Sequence, residues 1–188
     1  KLDGIDLDFE WAENEKEYKD YSLAILKMRE VLGDKYLFSV SLHPVCYKIS
    51  KEAIEAVDFI SLQCYGPSPV RFPIEKYCSD IQMVLEYGIP KEKLVAGVPF
   101  YGVTKDNSKK TEAYFNFVQN GLVTSPAQNE VIYQGDTYVF DGQDNIRIKT
   151  RYAKEQKLKG MMSWDLATDL PLSDSRSLLK TMTEELRE

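Results

Sequence analysis

The sequence predicts an α/β fold built around a parallel sheet, and three observations carry that prediction. Five strand-like segments alternate with helix-like ones, the order that parallel strands joined by helical crossovers require. The segment "KLVAGVPFYG" is apolar almost throughout, as expected of a strand covered on both faces. In "FISLQCY", Ile60, Leu62 and Cys64 alternate with Ser61, Gln63 and Tyr65. One face of that strand suits a helix layer and the other a polar cavity, which favours closure into a barrel over a doubly wound sheet.

Taken in order, "LDGIDLDFE" reads as the first strand and "ENEKEYKDYSLAILKMREVLG" as a helix. Tyr18, Tyr21, Ile25, Met28 and Leu32 fall at helical spacing, and Gly33 is placed to end the helix. "YLFSVSL" is the second strand, followed by a short helix, "SKEAIEA", that Ser50 can cap. "VDFISLQCY" is the third strand, and Pro73 to Tyr87 the next helix, closed by "GIP". "KLVAGVPFYG" makes a fourth strand. There the rhythm breaks. Residues 104–142 hold an aromatic helical segment, "TEAYFNFVQNGL", and a hairpin, "VIYQGDTYVFDG", with Gly-Asp as its turn. Helix "DNIRIKTRYAKEQK", strand "LKGMMSW" and helix "SDSRSLLKTMTEELRE" then resume the alternation. The chain therefore reads as one domain, residues 1–188, with a small insertion at 104–142. No glycine-rich nucleotide loop follows any strand.

The 188 residues are 43% hydrophobic, enough for a single sizeable core. With 24 Lys plus Arg against 30 Asp plus Glu, the net charge is -6 and no basic cluster marks a nucleic-acid surface. No apolar run approaches the roughly 20 residues that span a bilayer, and no stretch reads as an export signal. Cys46, Cys64 and Cys78 are odd in number and widely spaced. They match neither a zinc site nor a disulfide framework, so buried free thiols are expected.

The chemistry concentrates in the first strand. Period two puts Asp6, Asp8 and Glu10 on one face and Ile5, Leu7 and Phe9 on the other. If the apolar side packs on helices, three acids point inward, which is costly without compensation. A solvated strand end, a hard-cation site and acid-base chemistry all remain open on this pattern. Acid-base work ranks first, because mutual repulsion raises one acid's proton affinity so that it can donate.

"DGIDLDFE" resembles the signature of glycoside hydrolase family 18, the chitinases and endo-β-N-acetylglucosaminidases. That motif, Asp-Gly-x-Asp-x-Asp-x-Glu, lies on the fourth strand of a TIM (β/α)8 barrel. Asp3, Gly4, Asp6, Asp8 and Glu10 fill its fixed positions. "QCY", "GVPFYG" and "GMMSWDL" are similar to the family's strands six, seven and eight, in that order. The resemblance implies that the chain covers barrel strands four to eight, with the insertion between strands seven and eight. Gly66 stands where many chitinases have Asp, and Val103 where many have Arg.

The resemblance also implies roles. Glu10 would protonate the leaving glycosidic oxygen while the substrate's own acetamide attacks the anomeric carbon, with net retention. Asp8 would hold the acetamide nitrogen, Asp6 would share a proton with Asp8, and Tyr65 would donate to the acetamide oxygen. Trp164 would floor the sugar site, and Gln63, Tyr101 and Trp11 would contact substrate. Without the acidic strand, Tyr65 and Trp164 would read as core aromatics. His43 reads as structural, and Asp3 as a strand-start residue. No metal or organic cofactor is implied. The implied partner is an N-acetylglucosamine-containing polysaccharide or oligosaccharide, and the implied setting is extracytoplasmic. The alternatives are a non-hydrolytic chitin- or glycan-binding relative, against which the retained Glu10 argues, and a carboxylate-metal enzyme. Two open barrel edges are expected, so the chain should oligomerise or belong to a larger polypeptide, and alone hydrolyse little.

Overall fold

The computed structural model describes residues 2–187; Lys1 and Glu188, the ends of the predicted span, lie outside the described residues. Its main sheet has five parallel strands: β1 (Gly4–Asp8), β2 (Leu37–Leu42), β3 (Phe59–Leu62), β4 (Leu94–Pro99) and, much later in the chain, β9 (Gly160–Trp164). They lie side by side in chain order, β1-β2-β3-β4-β9. A doubly wound sheet would reverse strand order at a switch point, and this one does not. The crossover helices contribute Ile25, Ile54, Ile81 and Ile146 to one buried cluster with the apolar residues of the sheet. The sheet is open, with β1 and β9 at its edges.

The helices between these strands start and stop where local chemistry dictates. In α1 (Glu15–Leu32) the Asn14 side chain accepts from the Glu17 amide at 3.1 Å, and Gly33, at φ 61°, ends the helix. Ser50 caps α2 (Lys51–Ala56) through the Ala53 amide. Gly88 closes α3 (Ile74–Tyr87) in the left-handed conformation. Helices α5 (Gln143–Glu155) and α6 (Leu178–Arg187) flank β9. Against this layer Phe38, Val40, Leu42, Ile60, Leu62, Leu94, Ala96 and Val98 are fully buried. At the β1 edge Leu2, Ile5 and Phe9 are exposed.

Three predicted elements change on folding. "KLVAGVPFYG" is two strands: β4 ends at Pro99, and β5 (Tyr101–Thr104) joins a second sheet. "TEAYFNFVQNGL" splits into β6 (Thr111–Ala113), which pairs with β5, and a short helix α4 (Tyr114–Gln119). In the hairpin of β7 (Glu130–Tyr133) and β8 (Asp136–Val139), Tyr133 pairs with Asp136. The turn is therefore Gln134-Gly135, both at positive φ, in place of Gly-Asp. Two positive φ values give the hairpin the twist its strands need, and glycine adopts them without strain. The second sheet, β6-β5-β8-β7, is antiparallel and closes over Phe117, whose ring meets Tyr133, Tyr138 and Phe140. Cys46 and Cys64 are buried free thiols, whereas Cys78 is only half-buried.

One buried ion pair ties these parts together. Lys149 on α5, with no exposed side-chain surface, donates to Asp141 at 2.6 Å and to the Phe72 carbonyl at 2.9 Å. It also lies 5.4 Å from the centre of the Tyr77 ring. The chain leaving β8, helix α5 and the segment entering α3 thus share one cation. Lys149→Met leaves Asp141 charged and unpaired in the core, a loss of about 3–5 kcal/mol. Urea unfolding of Lys149→Met should show a loss of that size, with a smaller loss in the Lys149→Met/Asp141→Leu double variant.

Candidate active site

The face of the sheet away from the helices forms one wall of an open cleft of about 640 Å³. Parallel register builds it: Asp6 pairs with Ser39 and Asp8 with Ser41 along β1 and β2. Asp6, Asp8, Glu10, Ser39, Ser41, Ser61, Gln63 and Tyr65 all line the cleft. Trp11 and His43, just past the ends of β1 and β2, line it too, with Tyr101 at the start of β5 and Trp164 at the end of β9. All eight predicted site residues are therefore brought to one cavity.

The acids are not equivalent. Asp6 is held on both oxygens, by the Ser39 hydroxyl at 2.5 Å and the Ser41 hydroxyl at 2.9 Å. Neither serine was singled out in the sequence, although "SVS" shows the right alternation. Gln63 donates its amide to Glu10 at 2.5 Å and to Asp8 at 3.3 Å, so in this structure it orients the acids. Asp8 and Glu10 thus stand together under one Gln63 amide. Burial, then the charges of Glu10 and Asp6, raise the Asp8 carboxyl above its ordinary value, against the pull of Gln63.

The aromatic groups are set by close packing. Tyr65 is 5% exposed and its hydroxyl contacts the Met162 sulfur at 3.6 Å. Burial pushes the Tyr65 phenol well up, with Tyr101, Glu10 and Asp8 adding to the shift, so it remains a proton-bearing donor at neutral pH. A Cβ at Gly97 of β4 would come within 2.8 Å of the Tyr65 ring and 3.1 Å of Met162. Only glycine leaves room for that ring, a requirement that no single-strand pattern reveals. Tyr101 meets both Tyr65 and Phe72 edge-on at 6.3 Å. Trp164 and Trp11 are more than half exposed at the cleft margins. Gly66 lines the cleft, whereas Val103 is buried in the second sheet. Among the described residues, no group of three His, Cys, Asp or Glu is arranged to hold a metal ion.

Raised proton affinity at Asp8 has a stability consequence. A carboxyl raised on folding favours the folded state while protonated. That contribution is complete below the unfolded value of about 3.9 and is lost as pH rises through the folded value. Asp8→Asn should accordingly raise the urea midpoint at pH 7 and leave it unchanged at pH 3.

Comparison with known proteins places this geometry. The model of the glycosyl hydrolases family 18 matches residues 1–169. "Probable chitinase 2" of Drosophila melanogaster is 23% identical over 232 residues, covering 89% of this chain and 48% of that protein. "Class V chitinase CHIT5b" of Medicago truncatula is 24% identical, over 89% of this chain and 59% of its own length. The chain thus spans about half the length of the relatives it matches. Among solved structures, the chitinase ChiB of Flavobacterium johnsoniae superposes with a TM-score of 0.79 at 29% identity, over 98% of this chain and 60% of that one. A chitinase from Bacteroides thetaiotaomicron shares the fold with a TM-score of 0.83 at 20% identity, over 98% of this chain and 63% of its own. A plant class V chitinase mutant from Cycas revoluta, in complex with (GlcNAc)3, shares the fold at a TM-score of 0.72 and 18% identity, over 97% of this chain and 67% of its own. With a family match over residues 1–169 and the acidic signature in a polar cleft, the chain belongs to glycosyl hydrolases family 18.

Proposed function

We propose that this chain carries the acid machinery of a retaining hydrolase of β-1,4-linked N-acetylglucosamine polymers that works by substrate assistance. The observation that carries the reading is the Asp8–Glu10 pair, bridged by the Gln63 amide in the same cleft as the Tyr65 phenol. Glu10 gives its proton to the glycosidic oxygen as the bond to the anomeric carbon breaks. The acetamide carbonyl oxygen forms the replacement bond, giving an oxazolinium ion. Asp8, turned toward the acetamide nitrogen, stabilises the developing positive charge, and Tyr65 donates to the acetamide oxygen. Asp6, fastened by Ser39 and Ser41, keeps a fixed negative charge behind Asp8. Trp164 offers an apolar surface to the sugar, and Tyr101 and Trp11 flank it. Water entering from the face vacated by the leaving group gives a proton back to Glu10 and bonds to the anomeric carbon as its bond to the acetamide oxygen breaks, with net retention. No metal or organic cofactor is called on.

In this reading the five parallel strands are strands four to eight of an eight-stranded barrel, with residues 104–142 inserted between strands seven and eight. The exposed apolar residues at the β1 edge support it, since a neighbouring strand-helix unit or a second copy would cover them. An extracytoplasmic setting fits a polymer that cells meet outside the membrane. No helix among the described residues is long and apolar enough to cross one.

Glu10→Gln tests the chemistry. In a polypeptide that supplies the remaining strands, release of sugar from chitin oligomers should fall about a thousandfold, while oligomer affinity stays within threefold. The 188-residue chain alone should turn over far more slowly than that polypeptide. Wild-type protein that binds oligomers and never releases a shorter one would instead be a non-hydrolytic relative.

A further inference from the structure

The sheet stops holding the cleft walls before the walls end. β1 finishes at Asp8 and β3 at Leu62, yet Trp11 and Tyr65 stand three residues beyond. The last ladder bond near Tyr65 runs from the Gln63 amide to the Leu42 carbonyl, at 2.8 Å. What fastens the walls further out is His43, the residue after β2, on the same face as Ser39 and Ser41. It is 7% exposed, and each ring nitrogen has one partner.

The Nε2 atom lies 3.1 Å from the Tyr65 carbonyl oxygen, which can only accept, so Nε2 carries the proton. The Val45 amide donates to Nδ1 at 3.4 Å, so Nδ1 is bare. The Trp11 indole lies against the same imidazole, ring centres 5.7 Å apart at 34°. The turn that begins at His43 also holds the chain next to Trp11: the Cys46 amide donates to the His43 carbonyl at 2.7 Å, and the Cys46 thiol to the Ala12 carbonyl at 3.0 Å.

We propose that His43 is a positioning residue of this site, whose imidazole ties the Tyr65 backbone and seats the Trp11 indole. Two walls that the sheet no longer controls thereby keep one geometry. The inference rests on the hydrolase reading for what the walls do, and on the structure alone for what His43 holds. A proton on Nδ1 would face the Val45 N–H and break that bond. Burial first, and then Arg71 in the loop after β3, lower the His43 proton affinity; the Tyr65 carbonyl, Glu10 after β1 and Asp80 on α3 oppose them. The imidazole is therefore neutral at neutral pH, and acid releases it.

Two measurements test this. The chain has two tryptophans, so in Trp164→Phe the emission reports on Trp11 alone. An imidazolium against an indole quenches it. Emission should therefore fall severalfold on acidification, with a midpoint below 6.5, and the step should vanish in His43→Gln and His43→Phe. An unchanged acid step in both variants, or none in the parent, overturns the proposal.

The second measurement is affinity for a trimer of β-1,4-linked N-acetylglucosamine. His43→Phe keeps a ring under Trp11 and loses the bond to Tyr65; His43→Gln keeps a donor and loses the ring. Tyr65→Phe should cost about tenfold in the parent and threefold or less in His43→Phe. Trp11→Ala should likewise cost about tenfold in the parent and threefold or less in His43→Gln. Full cost in every background overturns the proposal. If the parent binds no trimer, the hydrolase reading fails, and the emission titration still decides for or against His43.

Discussion

Three carboxyl groups along β1 and just past its end set the terms for the rest of the molecule. The strand period fixes Asp6 and Asp8 roughly 6–7 Å apart, and Glu10 follows two residues on. The fold answers by bringing neutral donors to all three. Parallel register sets Ser39 opposite Asp6 and Ser41 opposite Asp8, and both hydroxyls turn to Asp6. Gln63, two strands away, reaches Glu10 and Asp8. No lysine or arginine makes an ion pair with the trio among the described residues. The Asp8 carboxyl is thereby left above its ordinary value, where a salt bridge would have lowered it.

The opposite face of the sheet makes this arrangement stable. Phe38, Val40 and Leu42 alternate with the cleft residues of β2, and Ile60 and Leu62 with those of β3, all fully buried against helices. Two ion-pair groups sit in the core there: Lys149 with Asp141, and Asp80 with Arg71 and Lys76. These pairs lie around the segment between Gly66 and α3, which borders the cleft. Phe72, whose carbonyl Lys149 binds, stands edge-on to Tyr101, itself edge-on to Tyr65. Packing energy gained on the helix side thus reaches the aromatic wall of the site through a short series of contacts.

Much of this was legible in the residues. Alternation of Ile60, Leu62 and Cys64 with Ser61, Gln63 and Tyr65 separates a core face from a cleft face in the sequence itself. Asn14 went unnoticed as a cap, but Gly33 and Ser50 read correctly, because helix ends are local events. The errors fell where the partner strand decides. "KLVAGVPFYG" has a strand's composition from end to end, and only pairing with β9 on one side and β6 on the other divides it at Phe100. "TEAYFNFVQNGL" has helical composition, and its first residues become a strand because β5 offers them backbone partners. The hairpin turn moved one residue because register, fixed by the Tyr133–Asp136 pair, outweighs the preference for Gly-Asp.

By itself the sequence determined the α/β alternation, the acidic face of β1 and the polar face of β3, because period-two patterning needs no partner to be read. Resemblance to a known signature carried the naming of the other site residues. Tertiary structure alone decided that Gln63 bridges Asp8 and Glu10, that the serines of β2 hold Asp6, and that Gly97 must lack a side chain. It alone also put His43 between Trp11 and Tyr65. Each of these is a contact between strands or loops more than twenty residues apart, or a few ångströms of clearance, and neither leaves a periodic trace along one chain.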